Sequence, residues 1–233
     1  MLEETLRRGL EEMHLACDNE ILQRFRTYYE LLEERNRVMN LTAINGEDES
    51  ATRHFLDSAA PLLRFPLAGR QVIDVGSGAG FPGLPLRILE PDVRMTLLDA
   101  QRKRVDFLAE VCAALGFDDV RCLHARAEEL TAMREQFDYA LARAVARLNL
   151  LAELCLPYVR VGGAFLALKG PGAAEELAEA ERAVRLLGAQ VEDVFDYAVP
   201  GDTLRHNIVV LRKTAPTPKQ YPRRYAQIKK SPL

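Results

Sequence analysis

One short segment constrains this chain more than any other. Val72-Ile73-Asp74-Val75 is an apolar run with strand character, and glycines follow it at alternate positions, Gly76, Gly78 and Gly80. Glycine admits backbone conformations closed to other residues, so the chain can turn sharply there beneath a ligand. Backbone N–H groups and the start of a helix then face whatever lies above the turn. A strand feeding such a turn belongs to an α/β sheet, with its binding crevice at the carboxyl ends of the strands.

The rest of the chain supplies that sheet. Strand-like runs recur at Arg94 to Leu98, Val120 to Leu123, Phe137 to Ala142 and Gly163 to Leu168, with helical stretches between most of them. The helices are expected at Leu84 to Leu89, Gln101 to Leu115 (closed by Gly116), Leu148 to Leu156 and Pro171 to Leu187. Alternating strands and helices predict a mostly parallel sheet covered on both faces. Val191 to Val199 and Asn207 to Leu211 have no helix between them and predict an antiparallel hairpin at the sheet edge, making seven strands. The fold class is α/β and Rossmann-like. Residues 1–66 read instead as a helical cap, its last helix running from Thr52 to Leu63. The sheet domain is placed at 67–213 and a basic tail at 214–233.

Charge is unevenly distributed. The net formal charge is only −3, yet residues 1–50 hold twelve acidic side chains against six arginines. Residues 211–233 carry seven Lys or Arg and no acid, a pattern suited to gripping a polyanion. No run approaches the roughly 20 apolar residues of a membrane helix. The charged amino terminus argues against a signal peptide, so a cytoplasmic, membrane-free protein is expected. Cys17, Cys112, Cys122 and Cys155 are scattered without ligand spacing to one another or to histidine. Neither a metal nor a disulfide is expected. A monomer is expected because no apolar helix is left without a place.

Two cofactor classes use a glycine turn of this kind. Gly78-x-Gly80-x-x-Gly83 satisfies the dinucleotide spacing, but the first glycine after the strand is Gly76, and counting from it puts Phe81 where the third should stand. An acid followed by alternate glycines directly after the first strand is instead the S-adenosylmethionine motif of Rossmann-like methyltransferases. Asp99 ends the second strand, where a carboxylate can accept from both ribose hydroxyls of either cofactor. Arg126-Ala127-Glu128-Glu129 stands after the third strand, where methyltransferases of this fold hold the adenine.

As a set, these residues closely resemble the bacterial RsmG or GidB family. The resemblance is carried by Asp74 to Pro85, Leu98-Asp99 with Lys103-Arg104, and Arg126-Ala127-Glu128. Asn40-Leu41-Thr42, Arg53-His54 with Asp57-Ser58, Ala142-Arg143-Ala144 and Ala167-Leu168-Lys169-Gly170 add to it. It spans nearly the whole chain and departs at Tyr225-Ala226, where Pro-Gly or Ala-Gly is more usual after the paired arginines. It implies methylation of N7 of one guanine in small-subunit (16S) ribosomal RNA, free or within the 30S subunit, with S-adenosylmethionine as donor. It also implies cofactor contacts at Gly76, Phe81, Asp99, Ala100, Gln101, Ala127, Glu128 and Arg143, beside the motif residues Asp74, Gly78 and Gly80.

Such a reaction needs no general base, because N7 carries an in-plane lone pair, so no catalytic nucleophile or base is expected. Arg143 and Lys169 are the positioning residues expected at strand ends. Arg53, His54, Lys169, Arg223, Arg224, Lys229 and Lys230 are the expected RNA contacts, with Tyr221 and Tyr225 interleaved for stacking. Three alternatives compete: a nicotinamide-dependent oxidoreductase, a non-enzymatic ribosome assembly factor on the same scaffold, and a methyltransferase of small molecules. The first would need a glycine where Phe81 stands, the intact motif speaks against the second, and the basic tail speaks against the third.

Overall fold

The computed structural model describes Met1–Leu233. Its centre is a seven-stranded sheet formed by β1 (Gln71–Val75), β2 (Arg94–Asp99), β3 (Arg121–His124), β4 (Phe137–Arg143), β5 (Val159–Lys169), β6 (Ala189–Ala198) and β7 (Arg205–Lys213), in the order β3-β2-β1-β4-β5-β7-β6. The first five strands run parallel, and β7 pairs antiparallel with both β5 and β6. The order reverses between β1 and β4. That reversal is the topological switch point at which open α/β sheets bind ligands.

The amino-terminal helices are α1 (Leu2–Glu12) and α2 (Asn19–Met39). Asp18 caps α2 by accepting from the Ile21 N–H at 2.8 Å, and Asn40 ends it in the left-handed region. The helix expected from Thr52 begins earlier and is not regular. It runs through α3 (Glu47–Ser50), a π-helical stretch Ala51–Leu56, α4 (Asp57–Ala59) and a 3-10 turn Ala60–Leu63. The apolar spacing of Phe55, Leu56, Ala59 and Ala60 fits an ordinary helix, so periodicity alone gives no sign of the wider turn. Widened turns occur often at functional sites, and this one carries Arg53 and His54, with Asp57 next in the chain.

The remaining helices are α5 (Gly83–Leu89), α6 (Arg102–Leu115), α7 (Leu148–Cys155), α8 (Ala173–Leu186) and α9 (Tyr225–Lys230). Two buried layers sandwich the sheet. One joins Leu6, Phe25, Tyr28 and Phe55 of the cap to Leu84, Leu97 and Leu141, so the cap shares its core with the sheet. Each such aromatic side chain contributes about 1.5–3 kcal/mol by leaving water. The other layer lies under α7 and α8 and includes Ile228 of the tail. Cys112 and Cys122, ten positions apart, come to 3.8 Å across α6 and β3 as free thiols.

Candidate active site

The turn after β1 is built from backbone. The N–H groups of Gly76 and Ser77 donate to the Leu98 carbonyl at 2.8 and 3.1 Å. Ser77 Oγ donates to the Asp74 carbonyl and accepts from the Leu98 N–H, so one hydroxyl stitches the turn to β2. Gly76 has φ +75°, and a Cβ there would lie 2.9 Å from Val145. Gly80 has φ +106°, and a Cβ would lie 2.5 Å from the Tyr28 hydroxyl, which donates to the Ala79 carbonyl. Side chains are thus excluded at Gly76 and Gly80 by backbone conformation and by close neighbours at once.

Above this turn lies a cleft of about 700 Å3, floored by Gly76–Ala79 and walled by the end of β2. Asp99 sits in that wall with its carboxylate fixed. Its Oδ2 accepts from the Gly78 N–H at 3.0 Å and its Oδ1 from the Gln101 N–H at 2.8 Å. Ala100, Gln101, Ala127 and Glu128 line the same cleft, as Phe81 and Arg143 do farther along. Tyr158 holds the loop after β3 by donating to the Ala127 carbonyl at 2.5 Å. Asp74 does not reach the cleft. It is fully buried, accepts from the Gly83 N–H at 3.0 Å through Oδ2, and leaves Oδ1 without a partner. Burial pushes its carboxyl up to about 7. It is the anchor that ties β1 to α5.

A second hollow of about 570 Å3 adjoins the first, and His54, Arg143, Ala144 and Val145 line both. Arg143, at the end of β4, donates through Nη1 to Asp57 Oδ2 at 2.7 Å and to the Arg53 carbonyl at 3.0 Å. Its Nη2 lies 3.3 Å from His54 Nδ1, and its guanidinium carbon lies 5.0 Å from the Phe81 ring centre. His54 stacks on Phe81 at 4.3 Å, and its Nε2 is 2.8 Å from Thr42 Oγ1. Burial, then the Arg143 charge, lowers the imidazole to about 3, so His54 is neutral and accepts from Arg143. Asp57 Oδ1 takes the Tyr197 hydroxyl at 2.7 Å and His206 Nδ1 at 3.2 Å. Burial opposes its ionisation, but His206, Arg143 and Tyr197 together hold it at about 2.

The expected RNA contacts divide. Arg53 lies at the second hollow, and Arg224, Lys229 and Lys230 are exposed. Lys169 and Arg223 differ from the expectation because each cation is consumed within the chain. Lys169 Nζ donates to the Ala146 carbonyl and to Glu176, both at 2.7 Å, and is only 7% exposed. It holds the loop after β4 rather than presenting charge to solvent. Arg223 is bound through its guanidinium to Glu153 Oε2 at 2.6 Å, and Glu153 is completely buried on α7. Asp57 and Tyr197 were given no role by sequence reading, because nothing local marks residues that converge across 140 positions. The adjacency of Arg53, His54 and Asp57 was their only signal.

The geometry fits an adenosine-bearing ligand: a backbone cradle that a Cβ would fill, and a braced carboxylate at the end of β2. Comparisons with known proteins agree. The model of the family described as GidB, rRNA small subunit methyltransferase G, matches residues 21–203. A protein of Pelotomaculum thermopropionicum named ribosomal RNA small subunit methyltransferase G is 44% identical over 100% of this chain and 99% of its own. One of the same name from Clostridium beijerinckii is 43% identical, covering 97% and 96%. Among solved structures, a SAM-dependent methyltransferase from Aquifex aeolicus superposes with a TM-score of 0.52 at 19% identity, covering 67% of this chain and 90% of that one. The YcgJ protein of Bacillus subtilis gives 0.55 at 15% identity, with 70% and 100% covered. These two likenesses concern the fold.

Proposed function

This chain belongs to the GidB family of rRNA small subunit methyltransferases, and on that premise we propose that it methylates N7 of one guanine in small-subunit ribosomal RNA, with S-adenosylmethionine as donor. The observation that carries the reading is the braced Asp99 carboxylate beside the glycine floor in one cleft, with a second hollow opening directly from it. Gly76 and Gly78 hold the donor by backbone, Asp99 by its ribose hydroxyls, and Ala127 with Glu128 at the adenine edge. When bound, S-adenosylmethionine supplies a methyl group already activated by the positive charge of its sulfonium.

The chain's own share is placement. N7 of guanine attacks with an in-plane lone pair and has no proton to lose, so no side chain has to act as a base. Alignment of the two reactants at roughly 3–3.5 Å accounts for most of the required acceleration. Arg143, Val145 and Ala144 form the boundary between the hollows and set that approach. Asp57 fixes Arg143, and His54 packs Phe81 against it. The exposed cations Arg224, Lys229 and Lys230 meet RNA phosphates, and a loop base is the expected target, because a base inside a duplex cannot reach such a site. The reading extends to a monomer acting in the cytoplasm, in keeping with exposed large apolar residues that are scattered along the chain.

The test is transfer of radiolabelled methyl to small subunits lacking modification, with naked small-subunit RNA in parallel. Borohydride and aniline treatment should cleave the labelled RNA at a single N7-methylguanosine. Label confined to another atom or to protein, or no label in either substrate, would overturn the assignment.

A further inference from the structure

The tail was expected as a basic segment that contacts RNA, and its position suggests a further use. In a sheet wound like this one, a helix between β3 and β4 ordinarily covers the outer strands on one face. Here that connection contains only a 3-10 turn, Thr131–Met133. The layer beside it, with Leu123, Ala125 and Leu130 at its margin, takes in Ile228 of α9 and receives Tyr221 and Leu233 against it. Three anchors fasten the tail there. Lys213 Nζ is buried and donates to the Leu156 carbonyl at 3.0 Å and to Thr217 Oγ1 at 2.7 Å. Arg134 donates to the carbonyls of Thr217, at 2.9 Å, and Tyr221. Glu153, wholly buried, receives both the Arg223 N–H at 2.8 Å and its guanidinium.

The consequence is seen two residues beyond Arg223. Tyr225 lines the first cleft together with Leu154 of α7 and the Ala125–Glu128 loop, the segment expected at the adenine. It is 37% exposed, an aromatic ring left open at the rim of a cleft. Asp99 fixes where the ribose goes, and the base beyond it falls on the side of the cleft that Tyr225 walls. Resting on the methyltransferase reading, we infer that Tyr225 is a cofactor-binding residue that packs against the adenine of S-adenosylmethionine, and that Arg223–Glu153 is the pair that positions it. The tail then completes the donor site with one part and offers Arg224, Lys229 and Lys230 to RNA with another.

The experiment is calorimetric titration of the full chain with S-adenosylmethionine and, separately, with 5′-methylthioadenosine, which keeps the adenosine and lacks the amino-acid end. Tyr225→Ala is expected to weaken both by about tenfold, as loss of a base-stacking ring does, and Tyr225→Phe to retain both. Arg223→Ala should weaken both as well, and adding Tyr225→Ala to it should cost nothing further, because the arginine acts through the ring. Thermal melts of each variant separate a lost wall from a lost fold. If the wild type binds both ligands and Tyr225→Ala binds them equally well, the inference is overturned. Loss of RNA affinity alone assigns the ring to RNA and overturns it too. Additive losses remove the positioning role of Arg223. Failure of the wild type to bind either ligand would instead strike the methyltransferase reading itself.

Discussion

Two buried aspartates mark the two halves of the site, and their surroundings are opposite. Asp74 accepts from the Gly83 N–H and forms no ion pair, and its carboxyl rises to about 7 because burial disfavours the charge. Asp57 lies in a comparably buried place, yet Arg143, His206 and Tyr197 keep it ionised down to about 2. Burial alone therefore does not decide the charge of a carboxyl; the presence of a cation does. The first hollow is floored by backbone of the turn after β1. The second hollow is walled by side chains drawn from residues 54, 57, 143, 197 and 206.

The contrast is broken most severely at Asp57. Asp57→Ala leaves the buried Arg143 without its carboxylate and His206 with Asp202 alone, which should cost about 3–5 kcal/mol of stability. Denaturant melts at neutral pH measure it, and a cost below about 1 kcal/mol would show that the network is not a unit. The wild-type carboxyl falls from its ordinary 3.8 to about 2 in the folded chain. Its contribution is therefore present above about pH 4 and lost as pH drops toward 2, a slope the variant should lack.

Asp74 gives the opposite slope. Its folded value lies above the ordinary one, so its contribution is whole below about pH 4 and lost as pH rises through 7. Asp74→Asn, which cannot ionise, should flatten that part of the stability profile, a change on the order of 4 kcal/mol between pH 4 and 8. An unchanged profile would mean that water or rearrangement already relieves the buried charge. The smallest effect belongs to the surface. Arg102 and Asp106, one turn apart on α6 and both mostly exposed, form an ion pair at 2.8 Å. Arg102→Ala should shift stability by less than about 0.5 kcal/mol, and calorimetric melting sets that baseline for the two buried sites.

The same contrast explains what could be read from the sequence. The glycine turn, Asp74 and Asp99 lie within local strand-turn patterns, and the mostly parallel sheet with its antiparallel edge follows from the order of strands and helices. Lys169 and Arg223 looked like free cations because their acids, Glu176 and Glu153, lie 7 and 70 positions away on helices whose docking no local pattern records. The π-helical stretch was hidden because Phe55, Leu56, Ala59 and Ala60 satisfy ordinary helical spacing. Tyr225 reads as a stacking residue in sequence. Only the docked tail places its ring in the lining of the first cleft.

The central claim is that the cleft at the ends of β1 and β2 holds S-adenosylmethionine through Asp99. Calorimetric titration of wild type and Asp99→Ala, with NAD as a parallel ligand, tests it most directly. Loss of two charge-assisted hydrogen bonds to the ribose should weaken methyl-donor binding by about a hundredfold. The account predicts micromolar binding of S-adenosylmethionine by the wild type, that loss in the variant, and no binding of NAD. Equal affinity of the two proteins for the methyl donor, or preference for NAD, would contradict it.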